Sequence, residues 1–153
     1  MKLEFSGAPV IDAPRKEVWE RLMDPDFVAA SAPGVETVEA VDPTHFNVVS
    51  GLGIGAVRLQ FRLEVELSDI VQEERLRMVA LGRGAGSEVD VISSVRLEDA
   101  GPGRTRLDWT ATCSVGGVVA GLGARLLEGT ARRLTEDFWT DFARRAGRRA
   151  GAG

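Results

Sequence analysis

Few side chains in this sequence are equipped for chemistry. There is one histidine, His45, one cysteine, Cys113, and no tyrosine. A Ser-His-Asp or Cys-His nucleophile would need His45 as its base. His45 opens a strand beside the turn Asp42-Pro43-Thr44, which is the setting of a surface residue. A His/Cys metal site has almost no ligands to draw on. Carboxylates, arginines, hydroxyls and backbone groups remain, so no catalytic residue and no metal ligand stands out. Binding has better candidates. A buried indole N–H needs an acceptor, so Trp109 either packs in a core or donates to a ligand carbonyl. Cys113 reads as a small buried apolar filler.

The bulk properties narrow the classes further. At 153 residues the chain is one domain with one core. Its net charge of -4 argues against a nucleic-acid partner, which needs a basic surface. No apolar run approaches the roughly 20 residues that span a bilayer. The start, Met1-Lys2-Leu3-Glu4-Phe5, lacks the apolar stretch of a secretory signal. A single cysteine rules out an internal disulfide and fits a reducing cytoplasm.

The elements that would position a binding site can be read from periodicity. Leu3 to Ile11 predicts a strand, Arg15 to Met23 a short helix behind Pro14, and Asp26 to Ala32 a second helix behind Asp24-Pro25. Period-2 segments follow: Val35 to Val41, His45 to Ser50, Ala56 to Asp69, Leu76 to Arg83, Val89 to Glu98 and Thr105 to Val115. The clearest places Val57, Leu59, Phe61, Leu63, Val65 and Leu67 on one face, with charged residues opposite. Short connections imply antiparallel pairing. From Val118 to Arg145 the spacing predicts one long helix, apolar and glycine-rich at first, then amphipathic through Leu127, Ala131, Leu134, Phe138 and Phe142. We expect a single domain over residues 1–146 and a flexible tail over 147–153.

A long helix closing a run of antiparallel strands must cover the concave face of their sheet. Here its first half carries Gly117, Gly121, Gly123 and Gly129, and the facing strands carry Gly53, Gly55, Gly82, Gly84 and Gly86. Interior helical glycines cost about 1 kcal/mol each relative to alanine. One reading is a deliberately empty volume, an apolar cavity. Strand parity and helical spacing line it with Phe61, Leu63, Met78, Val91, Trp109, Cys113, Val119, Leu122, Gly123, Leu126 and Leu127. The other reading is that these glycines serve turns, bulges and close helix–sheet contact in front of a solid core. The arginine pairs Arg132-Arg133, Arg144-Arg145 and Arg148-Arg149 form a solvated face, or the distal ones rest on anionic lipid headgroups.

The order of elements resembles the START-like helix-grip superfamily of ligand-binding domains. Local stretches are similar to one member, the carbon monoxide dehydrogenase CoxG family. They are Lys2-Leu3-Glu4-Phe5-Ser6-Gly7, Ala13-Pro14-Arg15-Lys16-Glu17-Val18-Trp19, Asp24-Pro25, and Pro33-Gly34-Val35-Glu36. The most specific is Gly116-Gly117-Val118-Val119-Ala120-Gly121-Leu122-Gly123-Ala124-Arg125-Leu126-Leu127, followed by Gly129, Ala131 and Phe138. The resemblance implies an α+β fold: a curved antiparallel sheet of about seven strands around a long C-terminal helix, with two short helices after the first strand. It also implies a non-catalytic accessory protein of a carbon monoxide dehydrogenase-type molybdenum enzyme. Such a protein would be cytoplasmic or peripheral to the inner face of the membrane and would carry a menaquinone-like or other apolar ligand, with no cofactor of its own.

Two other functions fit the same elements. One is a polyketide cyclase or dehydratase-like enzyme, which needs acid–base groups inside the cavity. The inward set offers little beyond Ser93, Thr105 and Arg75. The other is an assembly or recruitment factor whose cavity is incidental.

Overall fold

The computed structural model describes residues 1–147. The chain begins with strand β1 (Lys2–Gly7), broken at Pro9 from the two-residue β2 (Val10–Ile11). The expected single strand is split because proline has no N–H for the ladder. Helix α1 (Arg15–Leu22) follows Pro14 and buries Val18, Trp19 and Leu22. Helix α2 (Pro25–Ser31) is capped by Asp24, whose carboxylate accepts from the N–H groups of Asp26 and Phe27 at 3.1 and 3.3 Å. Gly34, at φ +80, then turns the chain into the main sheet.

Six long strands make that sheet: β3 (Val35–Asp42), β4 (His45–Ile54), β5 (Val57–Val71), β6 (Arg75–Gly84), β7 (Ser87–Asp99) and β8 (Thr105–Gly117). They pair antiparallel in the order β1-β8-β7-β6-β5-β4-β3, with β2 also on β8. The sheet is unclosed, with β1 and β3 at its edges. On β5 the alternation is plain, with Phe61 buried while Arg62 and Glu64 are exposed. Strand β4 runs four residues past its expected end, through Gly51 and Gly53. Those glycines sit within the pairing, opposite Gln60 and Arg58. A side chain at Gly51 would meet the Arg58 guanidinium at 2.9 Å.

The largest departure from expectation lies after β8. The predicted helix from Val118 is two pieces. Val118–Leu122 is one stretch of 3-10 helix, and α3 (Ala124–Ala146) starts only after Gly123, at φ 101 and ψ 145. Of the glycines assigned to the long helix, only Gly129 lies inside α3. Gly117, at φ 78, and Gly123 are backbone turns that other residues rarely adopt. Helix α3 therefore has 23 residues, roughly 35 Å at 1.5 Å per residue.

The helix bridges the mouth of the curled sheet. Its backbone comes close to β1 and β2 on one side, β4 on the other, and α1 and α2 at its far end. The core divides accordingly. One cluster joins Ile11, Val18, Trp19, Leu76, Leu97, Leu107, Trp109 and Phe142 beneath α1, α2 and the C-terminal half of α3. A smaller one joins Ile54, Val115, Val119 and Leu127 at the opposite end. Gly147 donates its N–H to Ala143 at 3.1 Å. The rest of the expected tail, with Arg148 and Arg149, lies outside the described residues.

Candidate functional site

A stretch of concave wall lies between the two clusters. Cross-strand pairs there are apolar on the inner face: Val48 opposite Leu63, Phe46 opposite Val65, Met78 opposite Leu67, and Val91 opposite Cys113. Phe46 and Phe61 are buried, yet Val48, Leu63, Val65, Met78 and Val91 are only half-buried. Side chains that face inward beneath a helix and still retain accessible surface border unfilled space.

A hollow of about 520 Å³ is resolved between α3 and the β1–β8 side of the wall. Phe5, Trp109 and Ala111 form part of its floor, and Arg132, Thr135 and Glu136 of α3 border it above, with Glu4 at the edge. The space has a sequence origin. Ala111 is small beside Trp109 on the same face of β8, while Gly7, paired with Trp109, has no side chain and lets the indole pack against its backbone. A Cβ on Gly7 would lie 2.6 Å from the indole nitrogen. Trp109 stacks on Trp139 with ring centroids 5.7 Å apart and planes 20° from parallel. Arg132 donates to Glu128 at 2.8 Å and lies 5.7 Å from the centre of the Phe5 ring.

The sequence-predicted lining falls into separate groups. Trp109 borders the resolved hollow. Met78 and Val91 pack beside it against the larger cluster. Val119 and Leu127 are buried in the smaller cluster, with Cys113 and Leu122 packed against them. Phe61 and Leu63 lie on the wall and belong to neither cluster. Gly123 and Leu126 are exposed, and Leu126 lies over the β4–β5 turn, with Cδ2 3.5 Å from where a Gly55 side chain would begin.

The glycines open less of the interior than expected. Nothing lies within 4 Å of a Cβ on Gly53, Gly121, Gly123 or Gly129, but these residues are exposed, so that space is solvent. Gly82 and Gly84 instead admit backbone: their Cβ atoms would meet the carbonyl oxygens of Val89 at 2.8 Å and Gln60 at 2.1 Å. Sequence reasoning missed Phe5, Ala111, Arg132 and Thr135 of the hollow's lining, with the polar Glu4, Ser6, Thr110, Thr112 and Glu136. Alternation marks Phe5 and Ala111 as inward, but only the β1–β8 register puts them under one flank of the helix.

The inward hydroxyls expected from the sequence are engaged in structure. Ser93 donates to the Thr110 carbonyl at 2.9 Å, and the fully buried Thr105 donates to that of Ala13 at 2.7 Å. Arg75, expected among the inward groups, faces out and pairs with Asp69 at 3.5 Å. His45 is on the surface, bonded to Asp42 at 2.9 Å. That bond raises the imidazole pKa and lowers the carboxyl's. The arginines of α3 are not one solvated face. Arg145 lies 4.1 Å from the centre of the Phe27 ring and donates to the Phe27 carbonyl and the Ser31 hydroxyl. No helix among the described residues is long and apolar enough to cross a membrane.

Burial, aided by the charge of Asp90, pushes the Cys113 thiol up to about 11. We expect iodoacetamide at pH 8 to label Cys113 roughly a hundredfold more slowly than an ordinary exposed cysteine, because the thiolate is the nucleophile. A mass-spectrometric time course checks this; labelling at ordinary rates would show that the wall opens to water there.

The family model for the CoxG component of carbon monoxide dehydrogenase matches residues 7–147. No curated protein matches the sequence. Among solved structures, the chain is similar to a conserved protein from Geobacillus kaustophilus, at 26% identity and a TM-score of 0.86, over 94% of this chain and 95% of that one. It is similar in fold to a START superfamily protein from Mycobacterium smegmatis, at 11% identity and TM-score 0.72, over 94% and 96% of the two chains. The Zhui aromatase/cyclase from Streptomyces sp. R1128 shares the fold at 16% identity and TM-score 0.70, over 95% and 94%.

Proposed function

We propose, from the premise that the chain belongs to the carbon monoxide dehydrogenase CoxG family, that it is a non-catalytic carrier of a hydrophobic molecule for a molybdenum-containing dehydrogenase of that type. The guest is a quinone or a similar lipid, held between α3 and the concave wall. One observation carries the reading: inward apolar side chains between two separate cores keep accessible surface under the helix, beside a hollow of about 520 Å³. That size falls within the range of small-molecule sites. Covering the exposed apolar wall with a guest stabilises the complex by roughly 25 cal/mol per Å². A cyclase reading draws less support, because the inward hydroxyls Ser93 and Thr105 are already committed to backbone carbonyls and general acid–base chemistry needs free groups.

Native mass spectrometry of the purified chain, with an organic extract of the same sample, tests this. The expected result is an added mass that the extract identifies as an apolar molecule, or uptake of one supplied in excess. Ala111→Leu, on the floor of the hollow, should reduce occupancy about tenfold while the far-ultraviolet spectrum stays unchanged, because overfilling costs about 1–3 kcal/mol. A wild-type protein that takes up no apolar molecule in excess would sink the carrier reading.

A further inference from the structure

The convex face of the sheet turns away from the helix and carries its own set of side chains. Leu76, Met78, Ser93 and Val95 belong to the inner face of β6 and β7. Their neighbours Arg75, Arg77, Ser94 and Arg96 therefore point outward, and all four are exposed. The ladder sets Arg75 directly opposite Arg96, and Arg77 directly opposite Ser94. On its other side Arg77 lies opposite Ser68 of β5. Residues opposed in this way have Cβ atoms about 4.5–5.5 Å apart, and diagonal ones, as Arg77 and Arg96 are, about 7–8 Å. Three guanidinium groups and two hydroxyls thus share one small area.

Like charges set directly opposite one another cost stability. Elsewhere on this face the fold offsets such a placement: Arg83, opposite Arg62, is bonded to Asp90 at 2.8 Å. Around Arg75 and Arg96 the carboxylates are already committed. Asp69 pairs with Arg75 at 3.5 Å. Asp108 lies opposite Arg96 but is held by Arg106 at 3.0 Å, and Glu98 is also opposite Arg106. Arg77 and Arg96 have no ion-pair or hydrogen-bond partner among the described residues. The Ser94 hydroxyl adjoins both. Two uncommitted guanidinium forks can each present paired N–H donors to an oxyanion. With the hydroxyl as a further donor, a tetrahedral group with three charged oxygens uses the set more fully than a carboxylate with two. We propose that Arg77, Arg96 and Ser94, with Arg75 beside them, form a binding site for a phosphoryl group on the convex face of the sheet. The site lies on the opposite side of the sheet from the proposed guest and stands whether or not the carrier reading does.

Amide chemical shifts of the whole chain, titrated with glycerol 3-phosphate, test the site. Sodium chloride at matched ionic strength controls for screening of exposed charges. The phosphate should give saturable shifts clustered at Arg77, Ser94 and Arg96, and the chloride should not. Acetate should bind at least about tenfold more weakly. Arg77→Gln and Arg96→Gln should each weaken the phosphate about tenfold. Arg62→Gln, on the same face beside Arg83 and Asp90, should leave it unchanged. These three arginines are exposed, and the unshifted remainder of each spectrum reports that the variant is folded. Phosphatidylcholine vesicles with and without phosphatidate distinguish the sources. Arginine-dependent binding to the phosphatidate vesicles, tighter than to glycerol 3-phosphate, assigns the site to a lipid headgroup; equal or weaker binding assigns it to a soluble phosphate. The site is overturned if chloride reproduces the shifts, if acetate binds as well as the phosphate, or if both Arg77→Gln and Arg96→Gln leave phosphate binding intact.

Discussion

Phe142→Ala should lower the unfolding free energy by about 3–5 kcal/mol, the usual cost of truncating a buried phenylalanine. Phe142 is fully buried. Its ring meets Phe27 of α2 edge-on at 5.6 Å, Trp139 at 5.6 Å and Phe138 at 6.2 Å. It is thus the point where α3 is fastened to α2 and to the larger core. No neighbour is free to collapse into the void, because Phe27 is held by Arg145 and Trp139 by Trp109. Domains of this size are stable by about 5–15 kcal/mol, so the variant loses a large fraction of its margin. Thermal unfolding should fall by roughly 6–20 °C, and the urea midpoint should fall with an unchanged slope. Phe138→Ala, at a half-buried site, should cost visibly less. Equal losses for the two would mean that the fastening is not local to Phe142.

Gly84→Ala should cost about 3 kcal/mol or more, although it adds one methyl group. The new Cβ would sit 2.1 Å from the Gln60 carbonyl oxygen and 3.2 Å from the Phe61 Cα. Neither is a flexible side chain that can turn aside. The ladder between β5 and β6 runs only to Arg62 opposite Arg83. Beyond it the β5 backbone at Gln60 and Phe61 lies against Gly84, which admits that close approach. The methyl group would force the two backbones apart at this point. Gly129→Ala is the control. Nothing lies within 4 Å of its Cβ, it is exposed, and it stands inside α3. That substitution should stabilise the protein by about 0.5–1 kcal/mol. Chemical denaturation of both variants reads the contrast directly; a mild effect at Gly84 would show that the two backbones can separate there at little cost.

The wall of the site was legible in the sequence because its signal is local. Alternation from Val57 to Leu67 fixes which side chains face inward, whatever the strand's partners. What stayed hidden depends on backbone conformation or distant pairing. Residues 118–127 carry apolar side chains at helical spacing, and periodicity alone joins them to α3. Gly117 and Gly123, both at positive φ, separate the 3-10 stretch from what precedes and follows it. The four glycines from Gly116 to Gly123 were the available warning, since each lowers helix propensity. Gly82 and Gly84 carry no mark that distinguishes a cavity wall from a close crossing of strands. The β1–α3 hollow was invisible for another reason. It joins Phe5 to Ala111 and Arg132, more than a hundred positions later, through a register that composition does not encode.

That same register places a demand on synthesis. Strand β1 is made before the other strands of the sheet, but its ladder partner is β8, with Lys2 opposite Ser114 and Gly7 opposite Trp109. At ordinary elongation rates the nascent chain waits roughly 5–20 s for that partner to be translated. Meanwhile Leu3 and Phe5 have no inner face to join, and the edge of β8 they will cover does not exist. The final closure is the most non-local step of folding, which makes it slow and exposes an unpaired strand to neighbouring chains. Ribosome-associated chaperones that shield short apolar segments would act on this protein at Leu3 and Phe5 of β1.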